Sequence, residues 1–120
     1  MTIKRLTLGR AGEEAAANYL IKKGFRMLQR NFSCMLGELD IVAMDGPYLV
    51  FVEVRTKSVN TFGLPQESIT RKKKHKLRQV ASFYLLAKNI KDKPLRFDVI
   101  AVSVGPDDRV ANIDHIINAI

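Results

Sequence analysis

Two apolar, β-rich runs at about residues 38–44 and 48–56 constrain the fold more than any other feature of the chain. Between them lies Asp45-Gly46-Pro47, a composition that predicts a β-hairpin. If the strands fold back about the midpoint of residues 46 and 47, Asp40 lies opposite Glu53. Directly opposed residues have Cβ atoms roughly 4.5–5.5 Å apart, so the two carboxylates repel each other unless a cation lies between them. Hard oxygen ligands suit Mg²⁺ or Mn²⁺, and the hairpin therefore predicts a metal site.

Side chains alternate along a strand, so the same hairpin predicts two different faces. Leu39, Ile41 and Ala43 are expected to meet Val50, Val52 and Val54 on a core face. The opposite face is expected to be apolar at one end and charged at the other, with Glu38, Asp40, Val42, Leu49, Phe51, Glu53, Arg55 and Lys57.

The composition indicates a basic, single-domain protein spanning residues 1–120. A net charge of +8 and a pI near 9.9 favour a polyanionic partner, with nucleic acid ahead of a membrane. Cys34 is the single cysteine, which fits a reducing compartment without disulfides. The N-terminus lacks the apolar segment of a signal peptide, and no apolar run approaches the ~18 residues needed to span a bilayer. We therefore expect a cytoplasmic protein that does not bind membranes.

Helix and strand patterns alternate along the rest of the chain. A helix is predicted from about Thr7 to Lys23, with Gly24 as its stop, and a strand from Phe25 to about Phe32. After a loop at 58–67, the predicted elements are a helix from between Pro65 and Ser68 to about Lys88, strands Leu95–Val104 and Arg109–Ile113, and a short helix Asp114–Ile120. This order predicts one mixed α/β or α+β domain built around a single sheet.

The second helix carries a basic cluster in its first half, consisting of Arg71, Lys72, Lys73, Lys74, Lys76 and Arg78. Cations near a helix N-terminus oppose the helix dipole, so helix stability does not explain the cluster. Phosphate binding does, and the alternative is an ordinary solvated face. The cluster is therefore predicted to bind nucleic acid.

The charged end of the hairpin has the residue types that a metal-dependent nuclease needs. Such an enzyme uses carboxylates to hold metal ions and gains from a cation near the scissile phosphate. Asp40, Glu53 and Arg55 supply these groups on one face. Glu13 joins them if the first helix packs across that end of the sheet, and is otherwise a solvated acid. His75 and His115 lack the spaced partners of a zinc site, and Asp98 is expected to be structural or to support a metal ligand.

The acid on one strand followed by Glu-x-Arg on the next resembles the PD-(D/E)xK nuclease superfamily. Nearly the whole chain is similar to the uncharacterised bacterial YraN family, through Gly9-Arg10-Ala11-Gly12-Glu13, Arg30-Asn31, Gly37-Glu38-Leu39-Asp40-Ile41, Phe51-Val52-Glu53-Val54-Arg55 and Arg96-Phe97-Asp98-Val99. The resemblance implies a restriction-endonuclease-like fold, an α/β domain whose central mixed β-sheet is flanked by helices. It also implies similarity to archaeal Holliday-junction resolvases, metal ligation by Glu13, Asp40 and Glu53, DNA rather than RNA as the partner, and a homodimer.

The chain departs from the superfamily pattern at Arg55, where the pattern has lysine. Arginine stays protonated and cannot act as a general base, although it binds phosphate bidentately. Either the metal alone activates water, or Lys57 contributes, or catalysis has been lost. Three interpretations follow. The first is a Mg²⁺- or Mn²⁺-dependent endonuclease acting on DNA, with branched or damaged structures among its substrates. The second is a nucleic-acid-binding module with little or no activity, and the third is an interaction protein whose charges form only surface ion pairs.

Overall fold

The computed structural model describes residues 2–59 and 69–120 as two helices and a five-stranded sheet. The elements in chain order are α1 (Thr2–Lys22), β1 (Arg26–Cys34), β2 (Gly37–Asp45), β3 (Tyr48–Ser58), α2 (Arg71–Ala87), β4 (Leu95–Val104) and β5 (Val110–Ile116). Strand order in the sheet follows the chain, and all neighbours are antiparallel except β3 and β4, which are parallel. Parallel neighbours need a crossover, and α2 lies within it. This is an α/β domain with a mixed sheet, consistent with the restriction-endonuclease-like fold predicted above.

The β2–β3 hairpin has the predicted register over residues 41–45 and 48–52, but its ladder stops one pair short of the predicted pairing of Asp40 with Glu53. Ile41 pairs with Val52, Ala43 with Val50, and Asp45 with Tyr48, which leaves Gly46 and Pro47 as a two-residue loop. Gly46 has φ +58°, and the ring of Pro47 fixes a negative φ after it. Glycine at the first position of a two-residue loop is typical of a type II′ turn, whose twist matches that of the strands.

Both faces of the sheet are buried, whereas the sequence analysis assigned a core to one face. On one face Ala16, Ala17 and Leu20 of α1 pack against the sheet residues Ile41, Ala43, Val50, Val52, Ile100, Val102 and Val104. On the other face Val80, Ala81 and Tyr84 of α2 pack against Val42, Met44, Leu49 and Phe51. Unbroken apolar runs within β2 and β3 are typical of strands covered on both sides.

Leu39 contradicts the predicted alternation. It packs in the α2 cluster rather than with Ile41 and Ala43 on the α1 face. The pairing of β2 with β3 ends at Ile41, and Leu39 is paired instead with Phe32 of β1, which packs against the same α2 cluster. Asn31 lies between Arg30 and Phe32, and its φ of +53° interrupts the regular alternation at this point.

The two helices end and begin with recognisable caps. Gly24 (φ +96°) closes α1, with its N–H donating to the Ile21 carbonyl at 3.0 Å and the Phe25 N–H donating to the Leu20 carbonyl at 3.0 Å. These two bonds form a Schellman motif, as expected for the predicted stop at Gly24. α1 begins at Thr2 rather than at Thr7. Thr70 caps α2 by accepting a hydrogen bond from the Lys73 N–H at 3.2 Å.

Some predicted boundaries are wrong, and others lie outside the described residues. The short terminal helix Asp114–Ile120 is wrong because its first three residues belong to β5, where His115 pairs with Ile100 and Ile116 with Val99. An isolated helix of seven residues is marginal, and pairing with an open sheet edge is more favourable. β1 continues to Cys34, past the Phe32 boundary of the predicted strand. The second helix begins at Arg71, after the extended N-cap Thr70, and not between Pro65 and Ser68 as predicted. Most of the predicted 58–67 loop falls outside the described residues. Neither described helix is both long and apolar enough to cross a membrane.

Candidate functional site

The site lies where β2 and β3 stop pairing. Their ladder ends at Ile41 and Val52, although β2 reaches back to Gly37 and β3 continues to Ser58. At this point the Asp40 carboxylate accepts a hydrogen bond from the Val54 N–H at 2.8 Å. The two strands separate there, and a cavity of about 400 Å³ opens beside them. We call it the acidic cavity, after its carboxylates Glu13, Glu38, Asp40 and Glu53.

Helices from both faces of the sheet line the acidic cavity. Lys73, Lys76, Leu77 and Val80 of α2 form one wall, and their spacing places them on one helix face. Glu13 comes from α1 on the other face of the sheet. It reaches the cavity because α1 lies very close to β3, where a Cβ atom on Gly12 would overlap the Thr56 hydroxyl. The first helix therefore packs across this end of the sheet, which is the condition under which Glu13 is expected to join the site.

The carboxylates of Asp40 and Glu53 both line the acidic cavity, and each affects the pKa of the other. Burial and the neighbouring Asp40 charge raise the pKa of Glu53 to about 7, against an ordinary value of 4.5. Burial also raises the pKa of Asp40, although the Val54 N–H opposes this shift by stabilising the Asp40 carboxylate. Protonated Glu53 can donate its hydrogen bond to Asp40. Without a further positive charge, this carboxylate pair resists full ionisation at neutral pH.

Two cations next to Glu53 offset part of this repulsion. The Arg55 Nε lies 3.8 Å from Glu53 Oε1, and the charges of Arg55 and Lys73 both lower the pKa of Glu53. Sequence reasoning did not single out Lys73 from the basic cluster. The available signal was its helical spacing with Leu77 and Val80, the residues that point α2 towards the sheet.

The other predicted site residues are distributed as follows. Of the basic cluster, Lys73 and Lys76 line the acidic cavity, whereas the rest of the cluster does not. Lys57 lies two residues beyond Arg55 on β3 and is also not part of the lining. Burial, followed by the charge of Asp40, raises the pKa of Glu13.

In the described part of the chain, no three histidine, cysteine or acidic side chains are arranged to hold a metal ion. Glu13 therefore lines the same cavity without forming a three-carboxylate cluster with Asp40 and Glu53. Magnesium does not need such a cluster, because it is usually bound through one or two carboxylates together with water and substrate phosphates. The Val54 carbonyl leaves the strand on the same side as the Val54 N–H and so faces Asp40. Asp40 and Glu53 fit a magnesium or manganese ion of this kind.

Asp98 is buried and lies away from the acidic cavity. Arg96 binds it bidentately at 3.0 and 2.9 Å, His115 Nε2 lies 2.8 Å from Oδ2, and the Asn118 N–H donates to Oδ1 at 2.9 Å. His115 also contacts the Tyr19 hydroxyl of α1 at 3.3 Å. These contacts support the structural role expected for Asp98, which connects β4, β5 and α1.

An α/β domain with a five-stranded mixed sheet and two helices is consistent with a restriction-endonuclease-like fold. The chain belongs to the uncharacterised protein family UPF0102, the YraN family, whose family model matches residues 12–102. It is 53% identical over 119 residues to a UPF0102 protein of Pelotomaculum thermopropionicum, an alignment that covers 99% of both chains. A UPF0102 protein of Moorella thermoacetica is 47% identical over 116 residues, which cover 97% of both chains. The predicted family resemblance is therefore confirmed.

Proposed function

We propose that this protein is a Mg²⁺- or Mn²⁺-dependent nuclease that hydrolyses phosphodiester bonds in DNA. The observation that carries the proposal is the carboxylate pair of Asp40 and Glu53, with the pKa of Glu53 raised to about 7. Such a pair is unfavourable when both groups are ionised, and a divalent cation would relieve the repulsion. Buried, mutually perturbed carboxylates in a cavity are typical of catalytic sites rather than of surface ion pairs.

Each residue of the acidic cavity has a distinct role in this proposal. Asp40 and Glu53 would hold the ion, and the Val54 N–H fixes the orientation of the Asp40 carboxylate. When bound, the ion supplies a Lewis acid and lowers the pKa of coordinated water. Arg55 is placed to bind the phosphate beside Glu53. Glu13 stands at the opposite wall, where it can accept a hydrogen bond from water.

Lys73 is a candidate for the role of the lysine that the superfamily pattern has at the position of Arg55. Its ammonium group acts on the same carboxylate as Arg55, but it reaches the cavity from α2 rather than from β3. We propose that Lys73 supplies the positive charge that the pattern places two residues after Glu53. Because α2 also carries the other basic residues, the same helix would bind the flanking backbone phosphates.

The proposal is tested by cleavage of labelled linear and branched DNA with Mn²⁺ or Mg²⁺. Asp40→Asn and Glu53→Gln should each reduce the rate by about 100-fold or more, while DNA affinity stays near that of the wild type. At saturating DNA, Lys73→Ala should also slow cleavage, whereas Lys72→Ala removes a charge that does not line the cavity and should weaken DNA binding without slowing cleavage of bound DNA. Cleavage that persists in both carboxylate variants, or that needs no metal, contradicts the proposal.

A second candidate function is DNA binding without catalysis. The observation that favours it is the contact between Arg55 and Glu53, which engages one of the two carboxylates with a permanent cation. In that case the wild type binds DNA but cleaves it with neither metal. Changing Lys73 and Lys76 together to alanine would then weaken binding and flatten its salt dependence. Action as a homodimer in the cytoplasm stays a prediction.

A further inference from the structure

A second cavity of about 680 Å³ adjoins the acidic cavity between α1 and β1. The two cavities have Glu13 and Glu38 in common, so they lie side by side next to these carboxylates. The volume of the second cavity alone lies within the range of about 300–1,000 Å³ that is usual for ligand sites. We call it the arginine cavity, because Arg10 of α1 and Arg30 of β1 line it.

Arg30 is incompletely paired within the described residues. Its Nη1 donates to the Glu14 carboxylate at 3.1 Å, but its Nε is buried and has no hydrogen-bond partner in the described part of the chain. Buried N–H groups without an acceptor are rare in proteins and call for an explanation. Glu14 is 62% exposed, and an ion pair with so exposed a partner is weak. Arg30 therefore keeps one guanidinium donor without an acceptor among the described residues.

The backbone of β1 is shaped so that two consecutive residues face this cavity. Neighbouring residues of a regular strand point to opposite faces of the sheet. Asn31 has φ +53°, which breaks the alternation, and both Arg30 and Asn31 line the arginine cavity. Asparagine tolerates this conformation better than most residues. The side chain of Asn31 adds a neutral hydrogen-bond donor beside the guanidinium group.

The charges of the arginine cavity also act on the acidic cavity. Burial raises the pKa of Glu13, a residue that lines both cavities, and the charges of Arg30 and Arg10 offset part of that rise. The two arginines are thus close enough to influence the proposed cleavage site. They line the arginine cavity and not the acidic cavity, a position that suits a neighbouring phosphate rather than the scissile one.

We infer that the arginine cavity binds a backbone phosphate of the DNA strand, next to the cleaved position. Arg30 is the main contact of this phosphate, which displaces the Glu14 carboxylate from Arg30 when it binds. A phosphate has enough acceptor oxygens to take both Nε–H and Nη–H of one guanidinium group. Glu14 reaches one Nη and leaves Nε without an acceptor, so exchanging the carboxylate for a phosphate completes the pairing. This inference rests on the proposed function, because it assumes a nucleic-acid strand in the neighbouring cavity.

The test is fluorescence-anisotropy binding of a labelled single-stranded DNA across a range of salt concentrations, with Ca²⁺ in place of Mg²⁺. Arg30→Gln should weaken binding about tenfold and reduce the slope of log affinity against log salt by about 0.7–1. Arg30→Lys keeps the positive charge but loses the bidentate geometry of the guanidinium group, and it should bind with intermediate affinity. Glu14→Gln should instead strengthen binding several-fold, because the phosphate no longer competes with a carboxylate.

The double variant distinguishes displacement of the Glu14 carboxylate from Arg30 from a general effect of removing a negative charge. If Glu14 acts through Arg30, Glu14→Gln should give no gain once Arg30 is already glutamine. A matched control is the exposed ion pair of Arg109 and Asp107 at the start of β5, at the far edge of the sheet from β1. Arg109→Gln and Asp107→Asn make the same charge changes there and should alter affinity less than twofold.

Several results would overturn the inference. They are equal losses for Arg30→Gln and Arg109→Gln, a gain from Glu14→Gln that persists without Arg30, or no DNA binding by the wild type at low salt. Failure of the proposed nuclease function has a different signature. Wild-type protein would then cleave nothing, while the coupling between Glu14 and Arg30 in binding would remain.

Discussion

Replacing Glu53 by glutamine should stabilise the metal-free protein at alkaline pH. Burial and the Asp40 charge raise the pKa of Glu53 from 4.5 to about 7, so its ionised form is less favourable in the folded protein than in the unfolded chain. A shift of this size corresponds to about 3 kcal/mol as an upper limit, at roughly 1.4 kcal/mol per pH unit. Glutamine keeps the shape of the neutral acid and cannot ionise.

The sign of the pH dependence follows from proton binding. Between the unfolded pKa of 4.5 and the folded pKa of about 7, folded protein holds a proton on Glu53 that the unfolded chain has released. The stabilisation from this proton is fully present below the unfolded pKa and is lost as the pH rises through about 7. The difference in unfolding free energy between Glu53→Gln and wild type should therefore be near zero at pH 4 and about 2–3 kcal/mol at pH 8.5.

The measurement is urea denaturation with EDTA at a series of pH values, supported by thermal melting. For a chain of this size a gain of 2 kcal/mol corresponds to an increase of roughly 8 °C in Tm. Glu14→Gln is a suitable control, because Glu14 is an exposed acid in the same helix turn as Glu13. Equal stability of wild type and Glu53→Gln at pH 8.5, or a difference that does not vary with pH, would refute the reasoning.

Adding Mn²⁺ should remove most of the stability advantage of Glu53→Gln over the wild type. A ligand that binds only the folded state stabilises it by about 2.7 kcal/mol at a concentration of 100 times Kd. Wild type should gain this stability, whereas Glu53→Gln should gain little, because the amide removes one of the two anionic ligands. If both proteins gain equally, the ion binds somewhere other than at Glu53.

Two further predictions concern packing at and away from the site. Gly12→Ala should destabilise the protein by about 1–3 kcal/mol in urea unfolding, because the added methyl group meets the Thr56 hydroxyl. Gly9→Ala on the same helix is the control: its methyl group has open space, and it should be neutral or stabilising by up to about 1 kcal/mol. Asp98→Asn should cost about 3–5 kcal/mol, because it leaves Arg96 without its buried partner. Although burial opposes it, hydrogen bonding by His115 and Arg96 lowers the pKa of Asp98, so this stability should be lost as the pH falls below about 4.

The hairpin was the part of the fold most accessible from sequence. Alternation fixes which residues can share a face, and Gly46-Pro47 fixes the loop, so the register of Ile41 with Val52 follows from local chemistry alone. The second buried face was less accessible, although Ile41-Val42-Ala43-Met44 is an unbroken apolar run. Such a run signals burial on both sides, which the alternating interpretation overlooked.

Other features depend on partners far away along the chain. The isoleucines near the C-terminus are spaced as in a helix, yet His115 and Ile116 pair with β4 because its edge was open. The pattern could not rank these two outcomes, since only the assembled sheet offers that edge. Lys73 presents the same difficulty, because one lysine in a basic run is distinguished from its neighbours only once α2 is placed on the sheet.

The early end of the β2–β3 ladder has a consequence for how this protein can change. An apolar pair at positions 40 and 53 would let the strands continue their hydrogen bonding and close the gap between them. Selection for thermal stability alone should therefore favour such pairs and remove the carboxylates at the same time. The Asp40 carboxylate accepts the Val54 N–H that a longer ladder would use, so the acidic cavity exists at the expense of a longer hairpin.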